Sequence, residues 1–182
     1  MILARFRRDN SARTINALYG AIVAQSRACV FYREYGVPDT VDGRFDLLVL
    51  HLVLLLRRLA RNGEAGRAIG QQVFDAFCRD LDANLREMGI GDFVVPKRMR
   101  RFAEAFYGRQ EAYLDALAAG DRQAFEEALA RNIFQGGAAA GAVRLASYAH
   151  AALDAFDAQD DEALIRGEVA FPSPEAIADA RG

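Results

Sequence analysis

The feature that most constrains this chain of 182 residues is an apolar run over residues 45–56, in which only Asp46 and His51 are polar. Because its apolar side chains would cover every face of a helix, the run predicts a helix that is buried on all sides. A membrane-spanning helix needs about 20 apolar residues. This run is shorter, and two arginines follow it directly. We therefore predict a central core helix, about residues 43–61, and no transmembrane segment.

Helical spacing also dominates the rest of the chain, where strand-like alternation is nearly absent. Residues 64–88 repeat apolar side chains every three or four positions, and Gly89 ends this segment. Pro96 suits the start of a following helix, and Asp121 suits the N-cap of another. We predict an all-α fold, a single compact multi-helix domain around the central helix.

The predicted domain organisation has three parts. Residues 1–10 form an N-terminal basic arm, residues 11–156 form the helical domain, with Ser11 capping its first helix, and residues 157–182 form an acidic, partly flexible tail. The arm's short apolar start precedes its arginines, which is the reverse of a secretory signal. We expect a cytoplasmic protein, with peripheral contact at the inner face of the cytoplasmic membrane as an option.

Charge is distributed unevenly along the chain. Residues 1–110 contain 18 Lys+Arg and 12 Asp+Glu, whereas residues 111–182 contain 5 and 13. With a net charge of −2, the chain has no overall positive field that would attract nucleic acid, so we expect no DNA partner. The basic first part favours contact with anionic lipid or ribosomal RNA, or it is simply a solvated face.

The sequence offers no constellation for catalysis. His51 and His150 are the two histidines; His51 has no nucleophile or orienting carboxylate at helical spacing, and His150 lies among alanines, which indicates a structural role. Cys29 and Cys78 are too few for a zinc site or a disulfide framework. No phosphate loop, nucleophile elbow or dinucleotide fingerprint occurs. We predict a protein that is not an enzyme, with no catalytic, cofactor-binding or metal-binding residues and no cofactor.

Two groups of charged residues are candidates for function. The first is a polar network that would link the loop before the central helix to the next helix, with Arg44 pairing with Asp80 or Glu87. Its members are Asp39, Asp42, Arg44, Asp80, Asn84 and Glu87. The second is a docking face of Lys97, Arg100 and Arg101, whose helical phase turns them away from Phe102 and Phe106.

Three segments resemble the ubiquinol–cytochrome c chaperone family, the bacterial relatives of the mitochondrial cytochrome b assembly chaperone. The first comprises FY (31–32), VPDTVDGRFD (37–46), LH (50–51) and RRL (57–59). The second comprises Phe77, DLD (80–82) and LREMGIGD (85–92). The third comprises VPKR (95–98), FYGR (106–109), Tyr113 and RN (131–132). The order and spacing agree with the family over about residues 11–135.

The resemblance implies an all-helical, non-catalytic assembly factor. Such a protein binds newly made cytochrome b and supports assembly of the ubiquinol–cytochrome c reductase complex (respiratory complex III). The implied partners are newly synthesised cytochrome b and, as an option, the ribosome or an anionic membrane surface. Two alternatives stay open. One is an all-helical carrier of a hydrophobic small ligand, which needs a closed apolar cavity. The other is a cryptic enzyme at Arg44, Asp80 and Glu87.

Overall fold

The computed structural model describes residues 2–137 and 139–179, and side chains for residues 11–137 and 140–177. These residues contain no β-strand, so the predicted all-α class is confirmed. The helices are α1 (Ile2–Ser26), α2 (Cys29–Arg33), α3 (Val41–Ala60), α4 (Gly63–Glu87), α5 (Val95–Ala119), α6 (Arg122–Asn132), α7 (Ala139–Asp157), α8 (Asp161–Ile165) and α9 (Pro174–Asp179).

Helix α3 is the predicted central helix. Leu47, Leu50, Leu52 and Leu54 have no solvent exposure. Helices α1, α4, α5 and α7 pack around α3, so its apolar side chains contact neighbours in several directions. This arrangement confirms the prediction from the apolar run, with the helix beginning two residues earlier and ending one residue earlier than expected.

Helix ends follow local sequence signals in most places. The Thr40 hydroxyl accepts a hydrogen bond from the Gly43 amide (3.1 Å) and caps α3. Asp121 caps α6 by accepting a hydrogen bond from the Ala124 amide (2.9 Å), as predicted. The predicted Ser11 cap is wrong, because α1 begins at Ile2 and passes through Ser11. The segment that we assigned to a basic arm is therefore helical over residues 2–10.

Residues 157–177, here called the C-terminal strap, pack across the earlier helices. Leu164 is completely buried. The Tyr35 hydroxyl donates to the Pro174 carbonyl (2.8 Å), and the Gln25 amide donates to the Pro172 carbonyl (3.1 Å). The strap thus adds to the core and covers α1 and α2. Its partial flexibility stays a prediction.

Arg58 joins α3 to this strap. Its guanidinium is 6% exposed and lies 2.5 Å from the Asp161 carboxylate. It also donates to the backbone carbonyls of Phe156 (2.9 Å) and Gln159 (3.2 Å). A buried guanidinium is costly to desolvate unless its donors are satisfied, and here both charge and geometry are matched. Arg58, which the sequence showed only as the end of the apolar run, therefore anchors the strap.

Candidate functional site

An arginine-rich groove lies where the start of α3, the first half of α5 and the end of α6 meet. Its volume is about 610 Å³, which is within the range of small-molecule sites. The lining combines aromatic rings, guanidinium groups and two carboxylates. It consists of Asp42, Phe45, Asp46, Arg98, Arg101, Phe102, Ala105, Arg109, Arg131, Asn132 and Gln135.

The Asp46–Arg109 ion pair forms the floor of this groove. Asp46 is 5% exposed, and its Oδ1 lies 2.7 Å from Arg109 Nη2. Burial raises the pKa of Asp46 to about 6, against the opposing effect of the Arg109 charge. The Arg109 guanidinium also lies 5.9 Å from the centre of the Phe45 ring. This ion pair thus links α3 to α5 beneath the groove.

The pairing satisfies the carboxylate but not the whole guanidinium. Asp46 Oδ1 is engaged by Arg109 Nη2, whereas Arg109 Nε is buried without a hydrogen-bond partner among the described residues. Buried polar atoms in folded proteins are nearly always satisfied. Arg109 Nε is therefore the donor of this pair that the described residues leave unused.

The rim of the groove is positively charged. Arg98, Arg101 and Arg131 are exposed around it. Phe45 and Phe102 provide an apolar surface between them, with ring centres 4.8 Å apart. Together with Arg109, these residues give the groove four guanidinium groups and, from Asp42 and Asp46, two carboxylates. The groove therefore favours a ligand that carries carboxylate or carbonyl oxygens beside an apolar group.

Gly43 fixes the position of the α3 side of the groove. A Cβ atom at Gly43 would lie 2.1 Å from the Pro38 carbonyl oxygen, so no larger residue fits there. The preceding loop consequently closes tightly onto the first turn of α3. Asp42 and Phe45, on either side of Gly43, line the groove.

The predicted polar network does not assemble as one unit, and the pairing of Arg44 with Asp80 or Glu87 is wrong. Arg44 pairs with Asp39 within the loop before α3, at 2.7 Å and largely exposed. Asp80 instead accepts a hydrogen bond from the Tyr19 hydroxyl of α1 (2.8 Å). Arg44 and Asp80 therefore each contact a different residue and do not pair with each other.

The remaining members of that network have separate environments. Asn84 donates to the Asp80 carbonyl within α4 (2.8 Å), and Glu87 is exposed. Asp42 lines the groove. Of the six predicted residues, the structure thus brings only Asp42 to the candidate site. This separation also removes the geometric basis for an enzyme at Arg44, Asp80 and Glu87.

The three residues of the predicted docking face are all exposed. Arg100 forms an ion pair with Glu104 one turn later (2.9 Å). Arg101 also lines the groove, beside Phe102, so it is shared between the two surfaces. Within the described residues, Lys97 and Arg101 have no carboxylate partner within 4 Å. Whether this face docks onto anything stays a prediction.

Both histidines pack against other side chains of the fold. His51 is completely buried; its Nδ1 lies 2.8 Å from the Leu47 carbonyl and its Nε2 lies 3.1 Å from the Tyr148 hydroxyl. Burial lowers the pKa of His51 to about 4. His150 packs edge-on against Phe125, with ring centres 5.6 Å apart. The interpretation of His51 as a satisfied core histidine therefore agrees with its contacts.

In the part of the chain that the structure describes, no cluster of three or more His, Cys, Asp or Glu side chains is arranged to hold a metal ion. None of the described helices is both long enough and apolar enough to cross a membrane.

Sequence reasoning missed the groove as a site, although a signal for it was present. Asp46 lies inside a run predicted to be buried on all sides, and a buried carboxylate requires a cation or a hydrogen-bond donor. Arg109 and Arg131 lie in the segments quoted for the family resemblance, but their partners were not assigned. Pairing the buried acid with one of these arginines would have located the groove.

The fold and this groove define a helical binding protein. The profile of the ubiquinol-cytochrome C chaperone family matches residues 33–171, and the chain belongs to that family. The crystal structure of the Cbp3 homolog from Brucella abortus is 40% identical, with a TM-score of 0.86, and the match covers 96% of this chain and 98% of that chain.

Animal relatives are more distant. A Xenopus laevis protein named ubiquinol-cytochrome-c reductase complex assembly factor 1 is 26% identical over 92 residues, which are 50% of this chain and 46% of the relative. A Drosophila melanogaster protein of the same name is 26% identical over 117 residues, which are 60% of this chain and 44% of the relative. The chain thus aligns with less than half the length of these curated relatives.

Proposed function

We propose that this chain is a non-catalytic assembly chaperone of the ubiquinol–cytochrome c reductase complex that binds newly made cytochrome b in the arginine-rich groove. The observation that carries this proposal is the convergence at one groove of segments resembling the chaperone family: residues 42–46, Arg98, Arg109 and residues 131–132. The names of the relatives, as complex assembly factors, support the same role.

The chemistry of the groove suits one end of an apolar helix. The last four carbonyl groups of a helix have no partner within the helix, and that end carries partial negative charge. Arg98, Arg101 and Arg131 would donate to such carbonyls, while Phe45 and Phe102 contact the apolar side chains beside them. A newly made membrane protein offers such helix ends before it is assembled.

A hydrophobic carrier is less well supported by the geometry. It requires enclosed apolar volume, whereas the groove described above is open and lined by arginines. Three smaller grooves, of about 230 to 310 Å³, each include at least one arginine in their lining as well. A binding surface for a protein segment fits these linings better than a cavity for an apolar molecule.

The proposal extends to where the chaperone works. We infer a cytoplasmic location with peripheral contact at a negatively charged surface, either the membrane or the ribosome, through the docking face. Arg101 supports this inference because it belongs to both the face and the groove, so a docked chain would present the groove beside that surface.

The test is site-specific photo-cross-linking in the native host. Gln135 is exposed and lines the groove, while Gln123 is exposed on α6 outside it. A photo-cross-linking residue at Gln135 should capture newly made cytochrome b, and the same residue at Gln123 should not. Equal capture at both positions, or capture only at Gln123, would contradict binding in the groove.

A matched pair of arginine variants gives an independent measurement. Arg131→Ala removes a groove guanidinium, whereas Arg13→Ala removes an exposed guanidinium of α1 that does not line the groove. Co-purification of cytochrome b with the tagged chain should fall for Arg131→Ala and stay unchanged for Arg13→Ala. A loss with both variants would indicate a general charge effect instead.

A further inference from the structure

The connection between α4 and α5 carries the most exposed large apolar side chain of the described residues. Phe93 is 99% exposed, and the neighbouring Met88 and Val94 are 65% and 46% exposed. An exposed aromatic ring contributes nothing to the core, and its contact with water is unfavourable. Clustered apolar exposure of this kind indicates a surface that contacts another partner.

Cationic side chains surround this apolar tip. Lys97 and Arg98 follow Phe93 within the first turn of α5 and are exposed. Among the described residues, neither has a carboxylate within 4 Å. The acidic residue of the tip, Asp92, forms an ion pair with Arg86, which also pairs with Asp82. Lys97 and Arg98 outnumber Asp92 over residues 88–98, so this segment carries a net charge of +1.

We propose that the tip, residues 88–98, is an interfacial anchor that inserts Phe93 into an anionic lipid bilayer. Apolar side chains that enter the boundary between headgroups and acyl chains, with Lys and Arg beside anionic headgroups, are the two elements of peripheral membrane binding. The combination favours a membrane over the ribosome, because RNA has no apolar layer to receive an exposed aliphatic and aromatic cluster.

The membrane anchor itself does not depend on the proposed function. Only its consequence for client binding rests on that function. The basic start of α5 leads from the tip to Arg98 and Arg101, which line the groove. Insertion of the tip would therefore hold the groove close to the bilayer surface, where newly made membrane helices are found. The anchor itself is testable without any client protein.

The sequence supplies a spectroscopic test, because the chain contains no tryptophan. A Phe93→Trp variant carries a single reporter at the tip, and Val143→Trp carries one at a side chain of α7 that is 39% exposed. Vesicles of phosphatidylcholine with one third phosphatidylglycerol should shift the emission of the tip reporter to shorter wavelength and leave the control unmoved. No shift at the tip, or equal shifts at both positions, would overturn the proposal.

Two further variants separate the apolar and ionic contributions. Removing the ring with Phe93→Ser should lower vesicle partitioning about tenfold or more. Lys97→Gln should lower it about fivefold at low salt, and salt should abolish this difference. Partitioning of Phe93→Ser equal to that of the unmodified chain would show that the ring does not insert.

The same variants distinguish this inference from the proposed function. Neither Phe93 nor Lys97 lines the groove, so capture of cytochrome b at Gln135 in detergent extract should survive both changes. Loss of this capture in Phe93→Ser with unchanged vesicle binding would show that the tip binds client instead of lipid. Sedimentation with purified ribosomes and not with vesicles would equally reject the membrane anchor.

Discussion

His51 should make the folded chain less stable as pH falls. In the folded state its pKa is about 4, below the ordinary value of 6.5, because the ring is completely buried. The folded state therefore binds fewer protons than the unfolded state between these values, and stability is lost as pH falls from 6.5 through 4. A difference of about 2.5 pH units corresponds to about 3 kcal/mol.

Asp46 should have the opposite effect. Its folded pKa of about 6 lies above the ordinary 3.8, so the folded state binds more protons than the unfolded state. Its contribution is most favourable at low pH and is lost as pH rises through about 6, by roughly 3 kcal/mol. The two buried groups thus offset each other in the same pH range.

Urea unfolding followed by circular dichroism, from about pH 4 to about pH 7, measures both effects. The free energy of unfolding of each variant is subtracted from that of the unmodified chain, which removes the contribution of the exposed carboxylates. Against the unmodified chain, His51→Gln should gain stability as pH falls, and Asp46→Asn should lose it. Differences of the same sign, or below about 1 kcal/mol over this range, would refute the assignment of opposing buried groups.

Three more predictions concern stability. Arg58→Met should cost about 1–3 kcal/mol, because the carbonyls of Phe156 and Gln159 lose their donor while Asp161 is itself exposed; limited proteolysis should then cut within residues 157–177. Arg61→Met, which removes an exposed partner of Asp157, is its control and should cost no more than about 1 kcal/mol. Leu52→Ala should cost about 2–5 kcal/mol in urea unfolding without altering vesicle partitioning; a cost below 1 kcal/mol would contradict its place in the core. Arg44→Ala and Asp80→Ala should add within about 0.5 kcal/mol in thermal melts, since they belong to separate contacts, and a larger coupling would restore the pairing first predicted.

Local patterns in the sequence were sufficient for α3 and for the start of α6. The apolar run predicted α3, and the capping chemistry of Asp121 predicted the start of α6, because both depend on neighbours a few residues away. Ser11 failed as a cap because its own side chain cannot determine whether the preceding residues are also helical. In the structure, the Ser11 hydroxyl instead donates to Gln72 of α4 (3.0 Å).

Long-range pairing was much harder to predict. The sequence argument paired Arg44 with Asp80 or Glu87, whereas Asp39, five residues before Arg44, proved to be its partner. The pairing of Asp46 with Arg109 joins residues from two helices whose relative phase the sequence does not reveal. The groove depends on that phase, so the quoted segments contained Asp46, Arg109 and Arg131 without revealing that these residues converge.

The C-terminal strap has a consequence for the timing of folding. Tyr35 and Pro174 are joined across 139 residues, and Thr14 and Arg166 across 152. Contacts of such sequence separation close large loops and form late. During synthesis, the surfaces of α1 and α2 that the strap covers therefore stay exposed until the strap has been made. The chain therefore reaches its finished fold only after translation has passed residue 174.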